Sequence, residues 1–221
     1  MPNSILSSYW HYKFMQTPII DPAKTELNYH HNPEAASGHH EAHPDLRMFG
    51  VFVFLFAEGM IFFGLFAAYL IFRAVSPVWP PEGIERELVL PGINTVILLS
   101  SSFVINQANG AIKKNNVAGL RTWFAATAIM GAIFLAGQAY EYSHLGFGLT
   151  SNVFASSFYV MTGFHGLHVT FGVLLILAVL WRSLKAGHYS NESHFGVEAA
   201  EIYWHFVDVI WVILFVLLYL L

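Results

Sequence analysis

The sequence predicts an all-α integral membrane bundle of five transmembrane helices. Three observations predict it. Of 221 residues, 56% are hydrophobic and only 11% are charged, which is too apolar for an ordinary soluble domain. The apolar residues fall into five segments, at about 46–72, 92–112, 121–142, 152–181 and 198–221. Each is long enough to cross a hydrocarbon layer of about 30 Å. The ionisable residues inside them are few and recur at helical spacing, as expected where one face of a span meets protein.

Composition also excludes function classes. There is no cysteine, so disulfides, thiolate metal sites and thiolate nucleophiles are excluded. The net charge of −4 and the lack of a basic patch argue against nucleic acid as a partner. The start, MPNSILSSYWHYKFMQ, lacks a basic stretch followed by a long apolar run, so no cleaved signal peptide is expected.

Residues 1–45 read as a polar cytoplasmic tail. Tyr9, Trp10, Tyr12 and Phe14 suit the membrane interface. His30, His31, His39, His40 and His43 form a His-rich patch, but no periodicity fixes a coordination geometry, so a solvated tail is the expectation. Asp45 is the expected cap of the first span. That span carries Glu58 near its middle and small residues Ala57, Gly64 and Ala68 for close packing. A proline-rich loop with Glu82, Glu85 and Glu87 follows. The second span puts Thr95, Ser102, Asn106 and Asn109 on one face, which should meet protein. The third carries an Ala128, Ala132, Ala136 ridge, with Gln138 and Glu141 near its far end. The fourth carries Tyr159, Thr162, His165 and His168 at spacing three, together with Gly163, Gly166 and Gly172. The fifth carries Glu198, Glu201, His205 and Asp208 along one stripe.

Lys and Arg set the expected orientation. With the N-terminus cytoplasmic, that side holds Lys13, Lys24, Arg47, Lys113, Lys114, Arg121, Arg182 and Lys185. The opposite side, with the C-terminus, holds Arg73 and Arg86. Glu198 and Glu201 then lie near the cytoplasmic surface and Glu141 near the other.

Four chemistries compete for the polar residues. A helical di-metal site needs carboxylates with Glu-x-x-His pairs; Glu201 and His205 are four apart, and Glu141 is at the wrong depth. A bis-His haem needs two facing histidines, for which His165 and His205 are candidates among bulky aromatics. A transporter should show internal repeats or broken spans, and neither is seen. The reading the residues favour is a scaffold whose polar groups satisfy one another and a partner. In it, His205 meets Glu201, and Asp208 accepts from His165 or Tyr159 on the fourth span. Glu58 has no obvious cation in the chain and, buried alone, is expected to carry its proton.

Four stretches, in order along residues 46–221, resemble one family. They are FAEGMIFFGLFAAY (Phe56–Tyr69), QAYEY (Gln138–Tyr142), GFHGLHV (Gly163–Val169) and EAAEIYWHFVDVIW (Glu198–Trp211), the last built on Trp204, His205 and Asp208. The chain is similar to subunit III of haem-copper oxidases, specifically of cytochrome c oxidase, in a five-span form. The resemblance implies a non-redox subunit with no catalytic residue and no metal ligand of its own. Glu58, Glu141, His165, His168, Glu198, Glu201, Trp204, His205 and Asp208 are then structural or proton-related. It implies haem and copper in partner subunits, direct packing on subunit I, and subunit II in the same complex. It also implies bound phospholipid, with cytochrome c docking elsewhere. The expected location is a bacterial plasma or thylakoid membrane, with the mitochondrial inner membrane as an alternative. Glu58, Glu198 and Glu201 favour the cytochrome c type over a quinol oxidase, whose members tend to have aspartate at the Glu58 position.

Overall fold

A computed structural model describes residues 46–84, 87–185 and 187–221. The polar tail, its His patch, the Asp45 cap, Glu85 and Arg86 lie outside the described residues. Among those described, all regular structure is helical. The helices are α1 (Leu46–Val75), α2 (Val89–Lys113), α3 (Val117–His144), α4 (Val153–Ser183) and α5 (Phe195–Phe215), the last extended by a π-helical turn, Val216–Leu220. All five are long and apolar enough to cross a membrane. With its π-helical turn α5 spans 26 residues, so the shortest span is α2, with 25 residues, or about 37 Å at 1.5 Å per residue.

The helices run a few residues past most ends of the apolar runs, because caps rather than hydropathy end them. Asn116 accepts from the Gly119 amide at the start of α3, and Asn152 accepts from the Ala155 amide at the start of α4. Helix α2 begins before Pro91, not after it. Pro91 sits in the first turn, where a missing N–H removes no helical hydrogen bond.

Helices α2, α3, α4 and α5 pack in a ring, each on the next, with α5 closing back onto α2. Helix α1 packs on α4 and α5 from outside the ring. Burial follows this order: 56% of the apolar window of α5 is buried, against 17% for α1. The α2–α3 turn and the α4–α5 loop share one end, joined by the Asn191 amide donating to Asn115 Oδ1 at 2.7 Å.

Trp204 holds the ring together. It is fully buried, and its Nε1–H donates to Ser101 Oγ on α2 at 2.8 Å. A Cβ at Gly131 of α3 would lie 2.6 Å from its ring, and one at Gly172 of α4 would lie 2.8 Å from it. The indole therefore occupies space that only glycine leaves open on two neighbours. The predicted small-residue ridges are not the close contacts. Ala132 and Ala136 are exposed, as are Ala57 and Gly64. Ala128 of the α3 ridge is buried in the core, but at Ala132 and Ala136 of α3 and at Ala57 and Gly64 of α1 the small-residue face points away from the ring. The approaches are made instead at Gly131, at Gly172, and at Gly137, whose Cβ would meet Asn94 at 2.4 Å.

Candidate functional site

The stripe on α5 faces α2, and the two helices are joined by a run of polar contacts in antiparallel order. Trp211 Nε1 donates to Thr95 Oγ1 at 2.9 Å. Ser102 donates to Asp208 Oδ2. His205 meets Ser102 Oγ through Nδ1 at 3.1 Å and Asn106 Oδ1 through Nε2 at 3.2 Å. Asn109 donates to Glu201 Oε2. Ser102 has one hydroxyl proton and gives it to Asp208, so it accepts from His205 Nδ1–H. The three side chains form a directed chain, His205 to Ser102 to Asp208. The predicted polar face of α2, Thr95, Ser102, Asn106 and Asn109, does meet protein, and each residue has its partner on α5.

This corrects the expected tie of Asp208 to the fourth span, and His205 likewise faces α2. Neither His165 nor Tyr159 reaches Asp208. Tyr159 donates to the Phe147 carbonyl at 3.0 Å. His165 is fully buried between Phe134 and Trp211, with ring centroids 5.8 and 5.0 Å away. The reason is azimuthal: α5 turns Trp204 and Tyr203 towards α4, and its acidic stripe lies on the α2 side. Within the stripe, Glu201 Oε1 lies 3.9 Å from His205 Nε2, and Glu198 lies 3.2 Å from His194.

Glu58 is not alone. His168 Nε2 of α4 lies 3.2 Å from Glu58 Oε2. His168 Nδ1 lies 2.8 Å from the Phe164 carbonyl, which can only accept, so Nδ1 carries a hydrogen. One further proton then serves the contact between Nε2 and the carboxyl. The partner was missed because His168 is 110 residues away in sequence.

At the opposite end of the bundle from Glu201, Glu141 is buried and accepts from Tyr219 at 2.8 Å and Gln138 at 2.9 Å. The Tyr219 bond pins the C-terminal π-turn to α3. Glu141 also borders a cavity of about 490 Å³ between the α1–α2 and α3–α4 loops.

A bis-His haem does not fit these histidines. His165 is enclosed by aromatic rings, and both nitrogens of His205 face α2 side chains. Among the described residues, no three of His, Asp and Glu converge as a metal site.

A profile of the family described as cytochrome c oxidase subunit III matches residues 29–221. The chain belongs to the cytochrome c oxidase subunit III family. It is 63% identical to "Cytochrome c oxidase subunit 3" of Synechocystis sp. over 213 residues, covering 94% of this chain and 91% of that protein. It is 61% identical to the protein of the same name from Thermostichus vulcanus, covering 84% of this chain and 92% of that protein. It is 39% identical to the one from Aedes aegypti, over 77% of this chain and 67% of that protein. As a member of the subunit III family, the chain is a non-catalytic part of an oxidase complex, with other oxidase subunits as partners. The five spans and the cyanobacterial relatives make it an integral protein of a bacterial plasma or thylakoid membrane.

Proposed function

We propose that the chain packs on subunit I of a proton-pumping cytochrome c oxidase, stabilises it, holds lipid at its surface and supports proton uptake. Subunit I would hold the haems and one copper. Subunit II would hold the other copper centre and dock cytochrome c. The carrying observation is that the polar face of α2 and the stripe of α5 are spent on ties between those two helices, with the Glu58–His168 pair as an acid–base contact between α1 and α4. The Lys and Arg distribution supports a cytoplasmic N-terminus. Glu58, Glu198 and Glu201 favour the cytochrome c type over the quinol type.

Purification of the chain from its native membrane tests the assignment. Co-purification with haem- and copper-containing subunits is expected, while the separated chain should show no haem absorbance and no stoichiometric iron or copper. Metal or haem bound by this chain alone would overturn the scaffold role.

Glu58→Gln separates structure from proton handling. The carboxamide N–H can donate to His168 Nε2, so the contact survives. The exchangeable proton does not. Normal recovery of the complex is expected, with slower proton uptake during sustained turnover, measured as pH change in reconstituted vesicles. Failure to assemble would show that the pair is needed as an ion pair. Unchanged proton uptake would remove Glu58 from that role.

A further inference from the structure

We propose that the outward seam between α2 and α5, around Phe103, Asn106, Gln107 and His205, is the face on which a membrane-spanning helix of a partner oxidase subunit docks. The inference rests on the subunit reading above and adds a place to it.

The seam differs from every other outward face in the middle of the bundle. Asn106 and Gln107 are exposed on α2, and the His205 side chain is 35% exposed beside them on α5. Asn106 turns one end of its carboxamide to His205, which leaves the other end without a partner among the described residues. The Gln107 side chain has no hydrogen bond to a described residue. Among the described residues, the mid-membrane outer faces of α1, α3 and α4 are apolar but for one hydroxyl; α3 presents Ile129 and Ile133. Helix α1 presents Phe52 and Phe63, and α4 presents Leu167 and Phe171. The one exposed hydroxyl on that face of α4, Thr170, is already bonded to the Gly166 carbonyl at 2.8 Å. Glu58 of α1 is turned to His168.

Depth argues for a protein rather than a lipid headgroup. Asn106 lies seven residues before Lys113, which ends α2, or about 10 Å along the axis. A helix of about 37 Å overhangs a 30 Å hydrocarbon layer by only a few ångströms at each end. The amides are therefore inside the hydrocarbon, below the headgroups. Unsatisfied amides there are costly, and hydrogen-bonding side chains between spans are the usual remedy. The occupant is thus a helix that offers hydroxyl, amide or carboxyl groups to Asn106 and Gln107. Its apolar residues would cover Phe103, 73% exposed, and Val209, 59% exposed.

A photo-activated cross-linking residue placed at Phe103 or Val209, and separately at Phe63 or Leu167, tests this in the assembled complex in native membranes. Adducts to another oxidase polypeptide are expected from positions 103 and 209, and lipid adducts from 63 and 167. Lipid adducts alone from 103 and 209, in a complex that still co-purifies, would overturn the docking face and leave the subunit reading standing. Absence of polypeptide adducts at all four positions, with no co-purification of haem-bearing subunits, would overturn both.

Discussion

Trp204→Ala is expected to destabilise the bundle by about 3 kcal/mol, enough to shift a folding equilibrium by more than a hundredfold. The figure sits at the low end of the range for buried Trp→Ala in soluble cores, because lipid accepts apolar surface that water would reject. What remains is lost packing and a lost hydrogen bond. The indole fills the gap between Gly131 and Gly172 and donates to Ser101, so one side chain contacts all three other helices of the ring. Its removal leaves a void that the neighbours have no atoms to fill. The measurement is recovery of the subunit in membranes and its retention in the purified complex, both of which should fall sharply. Gly172→Leu should give a comparable loss from the opposite direction, since a Cβ alone would sit 2.8 Å from the indole. Trp204→Phe should be intermediate: much of the volume is kept and the Ser101 bond is lost. Wild-type recovery of Trp204→Ala would disprove the clamp.

The sequence carried the number and order of the helices, because length and hydropathy decide what can span a bilayer. It also carried the stripe on α5, since spacings of three and four define one azimuth on a helix. What it lacked was the neighbour at that azimuth. Glu198, Glu201, His205 and Asp208 are aligned whether α2 or α4 lies opposite, and only the packing of the ring chooses α2. The same gap hid His168 from Glu58, and Tyr219 from Glu141, because nothing local encodes contacts across 110 or 78 residues. Small-residue ridges misled for a related reason. An alanine repeat marks a face on which close approach is sterically allowed. The approach occurs at Gly131, where a large side chain from α5 arrives, and Ala132 beside it stays exposed. The polar face of α2 was readable because it is the exception in a greasy span. Its residues are costly in lipid, so their alignment alone demanded a protein neighbour.

Asp208→Leu is the second large effect expected, and its pattern identifies the neighbour. Leucine is bulkier than aspartate, so no void is left, but it offers Ser102 no acceptor, and the donor chain from His205 then ends on a hydroxyl with no outlet. Interhelical hydrogen bonds in membranes are worth about 1–2 kcal/mol at most, so a roughly five- to thirtyfold drop in subunit retention is expected. Asp208→Asn keeps an oxygen for Ser102 and should be retained nearly as the wild type. A double-mutant cycle assigns the tie. Ser102→Ala should remove most of the cost of Asp208→Leu, because the hydroxyl that lost its acceptor is gone. Tyr159→Phe should add to Asp208→Leu independently, because Tyr159 spends its hydroxyl on the Phe147 carbonyl. Coupling to Tyr159 and none to Ser102 would return the stripe to the fourth span. Coupling to Ser102 alone places it against α2, where the outward edge of the same polar seam, at Asn106 and His205, is left for a partner to cover.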